Sequence, residues 1–272
     1  MDARLRETSA LIRVRRARAG DGAAIGRRAG LRAQNRYSGH FKRGPMTYTK
    51  RIVCLANSRK PPSGRCIAGI EVQPSGFGRW VRPVSERSTR EISEEDRRYS
   101  DGAMPAVLDI IDIAMKQPQP HLYQQENHLI DDGYHWSRVK AASWSSIQPA
   151  VETFAGPLWL NGFSSSYGIN DYVPEALAAN LARSLYLIRP TALRIVVAVE
   201  GGGQYPAKRK ARARFRFSGA EYCFVLTDPL MEQRYLAMGD GETRIDEALV
   251  CVSLGEFFNG NAYKLAAAII TP

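Results

Sequence analysis

The run of residues 208–217, KRKARARFRF, fits an extended strand and does not fit a helix. Successive side chains of a strand point to opposite faces. One face then collects five cations: Lys208, Lys210, Arg212, Arg214 and Arg216. The other face collects Ala211, Ala213, Phe215 and Phe217, and only Arg209 is out of place. We therefore predict a strand with one face in a core and the other facing water or anions.

The five cations extend over about 26 Å at roughly 3.3 Å per residue. Like charges so arranged repel one another unless an anion lies against them, and a polyanion such as nucleic acid is the natural partner. The alternative is an edge strand whose charges prevent aggregation. Because one or two charges suffice for that purpose, we favour phosphate contact by all five.

The formal net charge of +11 is concentrated at the start of the 272-residue chain. Residues 1–45 hold twelve basic and three acidic residues, which leaves 26 of the 38 basic and 24 of the 27 acidic residues for the rest. We expect this leader to be disordered, since it shows no helical or strand period. It is a basic arm, a transit peptide or, as we favour, sequence upstream of the true start near Met46.

Short apolar runs separated by turn residues predict five strands in residues 46–150, which we take as the first domain. The expected strands are 51–56, 65–72, 79–84, 107–115 and 124–130. Residues 93–96 suit the start of a short helix. Five short strands and one small helix are typical of an OB-type barrel.

Residues 151–272 form the second predicted domain. It should contain a helix over 175–184, which follows Pro174 and has alanine and leucine at helical spacing. Five further strands are expected at 193–200, 211–217, 222–227, 248–254 and 263–270. The second half thus resembles the first in type, although no sequence repeat is detectable.

Further cations accompany turns and an aromatic residue in the first domain. Arg59, Lys60 and Arg65 surround a turn made of prolines and glycine, where they can reach phosphates. In the segment 79–82, Trp80 lies beside Arg82, and aromatic residues next to cations stack bases while phosphates are neutralised. Trp80 is the predicted stacking residue, and the predicted auxiliary contacts are Arg59, Lys60, Arg65 and Arg82.

A catalytic alternative rests on Glu126, His128 and Asp131, which could hold a metal ion or move protons in a nuclease or other hydrolase. The histidines at 121, 128 and 135 are spaced by seven residues, which is no usual metal-ligand spacing. The four cysteines form no CxxC pair and are expected as buried free thiols. We therefore predict no cofactor and no metal site.

Several segments together resemble the bacterial dual OB-fold domain family. They are RIVCLANSRK at 51–60, GRCIAG at 64–69, WVRPVS at 80–85, ENHLID at 126–131, SLYLI at 184–188, TDP at 227–229, CVSLGE at 251–256 and YKL at 263–265. The resemblance covers the chain from about Lys50 onwards. It implies two OB-type barrels, a nucleic-acid-binding role and a place in bacterial conflict or defence systems, but no catalytic residue.

The sequence therefore predicts a mostly β protein of two small OB-like barrels, a few short helices and a disordered basic leader. No stretch approaches the ~20 apolar residues of a membrane helix, and a cytoplasmic location without a membrane partner is expected. The predicted function is non-catalytic binding of single-stranded or structured RNA or DNA. The alternatives are the hydrolase and an adaptor whose cationic face meets an acidic protein.

Overall fold

The computed structural model describes residues 47–202 and 205–272. The predicted leader, residues 1–45, lies outside this range. The first sheet contains β1 (Tyr48–Lys60), β2 (Gly64–Gln73), β3 (Gly76–Val84), β4 (Asp109–Pro118), β5 (Asn127–Ile130) and β6 (Ser137–Ala141). The second contains β7 (Tyr172–Pro174), β8 (Leu185–Ile188), β9 (Thr191–Gly202), β10 (Tyr205–Phe217), β11 (Ala220–Leu226), β12 (Gly241–Arg244), β13 (Leu249–Phe258) and β14 (Asn261–Ile270).

The first sheet is a closed barrel with the strand order β1-β2-β3-β5-β4, completed by pairing of β4 with β1. All neighbours in this ring are antiparallel except β3 and β5, which are parallel. A closed ring of five short strands has no free edges. The five predicted strands and the OB-type barrel are thus confirmed, and β6 is an additional strand on β4.

The second sheet repeats this order with β9-β10-β11-β14-β13. Its parallel pair is β11 with β14, the counterparts of β3 and β5. β8 pairs with β13 and runs into β9 after a break at Arg189 and Pro190, where proline has no N–H to donate to a ladder. The five strands predicted for this half are confirmed, and the two halves have the same strand order without a visible sequence repeat.

The two barrels pack against each other through a shared apolar core. Val53, Leu55, Ala68 and Ile70 on the outside of the first barrel belong to one buried cluster with residues of the second barrel. Those residues are Leu185, Leu187, Leu249, Cys251, Ala267, Ala268 and Ile270. Because the alternate residues Ile52 and Cys54 point into the first barrel's own core, β1 is buried on both faces. This explains the unbroken apolar run at 52–56, which is typical of doubly buried strands.

Polar contacts at this junction involve three buried side chains. Arg82 Nε donates to Glu126 Oε1 at 3.1 Å, and Arg82 Nη2 donates to Ser184 Oγ at 2.7 Å. Ser184 also donates to Glu126. The three side chains are almost inaccessible to water, and buried charges need such partners. Arg82, Glu126 and Ser184 therefore hold the barrels together.

The helices are short, as predicted, but their positions are only partly as expected. α1 (Glu94–Arg97) begins at the capping box made by Ser93 and Asp96, which confirms the predicted helix start. The helix predicted over 175–184 is wrong in length: α2 (Glu175–Ala178) ends where the chain turns towards Ser184 and β8. α3 (Pro229–Ala237) was not predicted, although Asp228 caps it and Pro229 stands at its first position. A 3-10 helix covers Ser145–Ala150.

Candidate nucleic-acid interface

The two faces of β10 are divided as the sequence predicts. Ala211, Ala213 and Phe215 are buried in the core of the second barrel. The cations Lys208, Lys210, Arg212, Arg214 and Arg216 alternate with them along the strand. β10 occupies the second position of the strand order, between β9 and β11, whereas the junction with the first barrel is formed by β8, β13 and β14. The cationic face is therefore on a different part of the barrel from the junction.

Arg212 is the exception among the five, because it is 7% exposed and paired inside the protein. Its Nε donates to Glu200 Oε1 at 2.5 Å, its Nη2 to Glu200 Oε2 at 3.0 Å and its Nη1 to Asp171 Oδ2 at 3.4 Å. Burial acts to lower the pKa of Arg212, but the hydrogen bonds and charge of Glu200 raise it above the ordinary value. We therefore correct its predicted role from phosphate contact to internal support of the surface.

The other four cations remain accessible to different degrees. Arg214 Nε donates to Glu221 Oε1 at 2.8 Å, and Lys210 Nζ lies 3.7 Å from Glu200 Oε2. Lys208 and Arg216 are exposed, and neither takes part in an ion pair with a described carboxylate. Three carboxylates, Asp171, Glu200 and Glu221, thus partly neutralise the five cations, which the sequence pattern did not reveal.

A loop of residues 162–171 pairs with β11, and its side chains reach Gly201 of β9 and Arg212 of β10. We call it the covering loop. Ile169 bridges to Cys223 of β11 through two backbone hydrogen bonds. Asn170 Nδ2 donates to Glu221 O at 2.9 Å. Only glycine fits at position 168, since an added Cβ would lie 1.8 Å from Asp171 Oδ2.

The covering loop also presents an exposed aromatic ring beside the cations. Tyr167 is 48% exposed, and its hydroxyl accepts a hydrogen bond from Gly201 N at 3.1 Å. Gly201 belongs to the hairpin of β9 and β10, which also contains Lys208 and Lys210. An exposed ring next to cations is the arrangement that stacks a base while its phosphate is bound. Tyr167 was not predicted from the sequence, because its local signal is only an aromatic residue within a serine- and glycine-rich segment.

The predicted auxiliary cations of the first barrel mostly contact the second barrel. Lys60 Nζ lies 2.7 Å from Glu256 Oε1. Arg59 pairs with Glu232, and its backbone N–H donates to Thr227 O at 2.9 Å. Arg65 is half-buried, and burial together with the charge of Arg59 lowers its pKa. The loop between β1 and β2 is thereby held against the second barrel.

The predicted pair Trp80 and Arg82 lies at the junction and not beside β10. Arg82 is 3% exposed and is bound to Glu126 and Ser184, so we correct its role to a junction contact. Trp80 is half-buried, and its Nε1 donates to Glu152 Oε1 at 3.1 Å. The ten predicted residues therefore do not form one surface.

The three residues of the hydrolase alternative are not brought together as a metal site. Glu126 pairs with Arg82, His128 Nδ1 is 2.6 Å from the Tyr48 hydroxyl, and Asp131 Oδ2 accepts from Thr47 Oγ1 at 2.7 Å. Burial lowers the pKa of His128. Within residues 47–202 and 205–272, no group of three histidine, cysteine or acidic side chains is placed to hold a metal ion. The geometry gives this alternative no support.

Lys264, a buried lysine of β14, holds the end of the covering loop that leads into β7. Lys264 Nζ donates to Leu160 O at 2.6 Å, and its backbone N–H donates to Asp171 O at 2.8 Å. The ammonium lies 5.6 Å from the centre of the Tyr222 ring. Burial lowers the pKa of Lys264 to about 7, while the charge of Asp171 acts in the opposite direction.

Comparison with known proteins agrees with this architecture. The family model of the dual OB-containing domain matches residues 50–269 of this chain. This chain belongs to the dual OB-containing domain family. No curated protein and no solved structure matches it. Among the described residues, no helix is both long and apolar enough to cross a membrane.

Because the chain belongs to this family, the surfaces through which OB-folds bind ligands are the ones to compare in the two barrels. OB-folds bind oligonucleotides and oligosaccharides on the face of strands 2 and 3 and on the loops that join strands 1 to 2 and 4 to 5. In the first barrel both loops contact the second barrel: Lys60 pairs with Glu256 beside one, and Tyr123 of the other donates to Gly255 O. In the second barrel the corresponding strand is β10, and its hairpin with β9 carries exposed cations.

Replacement of Arg212 by methionine should destabilise the protein by about 3 to 5 kcal/mol, because it leaves Glu200 and Asp171 buried without their main cation. Arg216→Met on the same strand is the matched control and should change stability by no more than about 0.5 kcal/mol. Urea denaturation of both variants measures the difference. Equal stability of the two variants would contradict a structural role for Arg212.

The pKa of Lys264 predicts how stability depends on pH. Above pH 7 the folded chain loses this proton, whereas the unfolded lysine keeps it until about pH 10. The unfolded state then binds more protons, so stability should rise from pH 7 to about pH 8.5, by at most about 1.4 kcal/mol per pH unit. The Lys264→Met variant should lose this rise in urea titrations, and an unchanged slope would show that Lys264 is not its source.

Proposed function

We propose that this protein binds single-stranded or structured nucleic acid on the outer face of β10 without catalysing a reaction. The observation that carries the proposal is the contrast between the two barrels. The ligand-binding loops of the first barrel contact the second barrel. The equivalent hairpin of the second barrel, β9 with β10, is exposed and carries Lys208 and Lys210 next to Tyr167.

We select the proposed phosphate contacts by the solvent exposure of each cation on β10. Lys208 and Arg216 are exposed without a described carboxylate partner, so they are free to approach phosphate groups. Arg214 and Lys210 have partners, but their side chains are 36% and 41% exposed. Exposed ion pairs contribute little, about 0 to 1 kcal/mol, so a phosphate can replace Glu221 at Arg214. Tyr167 provides the stacking surface.

Four phosphate contacts set the expected salt dependence. At about −0.7 for each contact with a single strand, log affinity should fall against log salt with a slope of about −3. The three nearby carboxylates reduce the attraction, so binding is expected to be weak at physiological salt. Base identity is not read by phosphate contacts, and the proposal therefore includes both RNA and DNA.

An acidic protein partner is the second class of ligand that fits a cationic face. Tyr167 favours nucleic acid, since stacking on a base uses an aromatic ring, whereas charge alone does not discriminate. A cytoplasmic location and a role in bacterial defence remain predictions of the sequence.

The test compares two double charge reversals in the full chain. Lys208→Glu with Arg216→Glu should weaken binding of a fluorescent single-stranded oligonucleotide and reduce the salt slope by about 1.4, the value for two lost contacts. Arg138→Glu with Lys140→Glu changes the net charge equally but lies on exposed β6 of the first barrel. Fluorescence anisotropy measures both variants at several salt concentrations.

Every variant retains residues 1–45, so any contribution of that basic segment is the same throughout. If both double variants lose affinity equally, binding reflects net charge and the proposed surface is wrong. If neither binds less tightly than the unmodified chain, β10 is not the interface. Binding to an acidic protein but not to oligonucleotides would support the adaptor alternative instead.

A further inference from the structure

A cleft of about 430 Å³ lies where the end of the first barrel meets the segment before β8. Its lining includes Lys50, Glu71, Arg79, Trp80, His128 and Arg183. Pockets for small ligands usually have volumes of about 300 to 1,000 Å³. The cleft is separate from the cationic face of β10, because its walls come from the first barrel and from residues 182–185.

We propose that this cleft binds a nucleoside monophosphate. The site goes beyond the function proposed for β10, since it is on the other barrel and takes a small ligand. Three features specify this ligand class: a positioned aromatic ring, one cation without an internal partner, and a volume suited to a single nucleotide.

The aromatic ring is that of Trp80, and its position is fixed by a series of polar contacts. Its Nε1 donates to Glu152 Oε1 at 3.1 Å. The other oxygen of Glu152 accepts from Arg183, whose guanidinium lies 4.0 Å from the centre of the Tyr186 ring. Glu152 N donates to Leu187 O at 2.8 Å, and Leu187 N donates to Glu152 Oε1 at 3.4 Å, so both the backbone and the carboxylate of Glu152 are tied to β8. A half-buried indole fixed in this way offers a preformed surface for a flat base.

The cleft offers one uncompensated cation to a phosphate group. Lys50 Nζ is paired with Glu71 Oε1 at 2.5 Å, and Arg183 is paired with Glu152. Glu126 also lines the cleft, and its charge is compensated by the buried Arg82. Arg79 is exposed and forms no ion pair with a carboxylate of the described residues. The planar guanidinium of arginine binds phosphate through two parallel hydrogen bonds. One arginine can therefore hold one phosphate group and neutralise part of its charge of about −1.5 to −2, whereas a longer polyanion would need further cations.

His128 adds hydrogen-bonding capacity without adding charge. Its Nδ1 is 2.6 Å from the Tyr48 hydroxyl. Burial, followed by the charge of Lys50, lowers its pKa, so the imidazole is neutral at pH 7. Gln125 also lines the cleft, and its Nε2 donates to Leu122 O. Neutral polar groups of this kind are suited to the edges of a base or to ribose hydroxyls.

Isothermal titration calorimetry of the full chain with adenosine 5′-monophosphate tests the site. We expect one ligand per chain, and about tenfold weaker binding for Arg79→Ala. The control Arg138→Ala removes another exposed arginine of the first barrel and should bind as the unmodified chain does. Adenosine should bind at least tenfold more weakly than its monophosphate. No binding at millimolar concentration, or equal binding by Arg79→Ala, would overturn the proposal.

Tryptophan fluorescence locates the ligand independently. Stacking on Trp80 should quench emission saturably, and Trp80→Phe should lose the quenching while keeping an aromatic ring and, by circular dichroism, the fold. Quenching that persists in Trp80→Phe would place the ligand at another tryptophan and contradict the site. A 5′-phosphorylated tetranucleotide that binds far more tightly than the mononucleotide, with the same dependence on Arg79, would show that the cleft takes a strand end and not a free nucleotide.

The β10 surface and the cleft can be tested independently of each other. The Lys208→Glu, Arg216→Glu variant should bind adenosine monophosphate normally, because neither residue lines the cleft. Loss of mononucleotide binding in that variant would contradict an independent site. If Arg79→Ala abolishes oligonucleotide binding while the β10 variant retains it, the function proposed for β10 is wrong and the cleft is the nucleic-acid site.

Discussion

The packing of one barrel on the outside of the other is the constraint on which the rest of the structure depends. Val53 and Leu55 of β1 contact the second barrel's cluster, whereas Ile52 and Cys54 fill their own barrel. Burial of apolar surface on both sides of one strand commits the first barrel to a partner. The partner is the second half of the same chain, and it also contacts the loops through which an OB-fold usually binds its ligand.

The second constraint is the free-energy cost of removing charged side chains of β10 from water. Three of the five cations, Lys210, Arg212 and Arg214, are compensated by carboxylates. Those carboxylates are Glu200, Asp171 and Glu221. Burial of Arg212 beneath the covering loop is possible because two carboxylates surround it. The cations near the ends of the row stay exposed. The interface is therefore less positive than the sequence suggests, but it has a definite shape with Tyr167 beside it.

Local patterns were sufficient to predict ten of the fourteen described strands, because alternation and turn residues are properties of neighbouring positions. The inner face of β10 and the capping box at Ser93 are examples. The short strands β6, β7, β8 and β12 were not predicted. Contacts between distant residues were not predictable in this way: Arg82 with Glu126 is separated by 44 positions and Lys60 with Glu256 by 196. Arg82 is buried by such a distant partner, whereas the main partner of Arg212 is Glu200, 12 positions away on the neighbouring strand. The helix α3, in contrast, has a local signal in Asp228 and Pro229, which was interpreted only as a turn.

Photochemical cross-linking with an oligonucleotide tests the central claim most directly, because it maps the contact surface on the unmodified chain. A single strand with a photoreactive base is irradiated with the protein, and the linked peptides are identified by mass spectrometry. The account predicts links to Tyr167 and to the hairpin of β9 and β10. Links confined to the first barrel, with none on the second barrel's outer face, would contradict it.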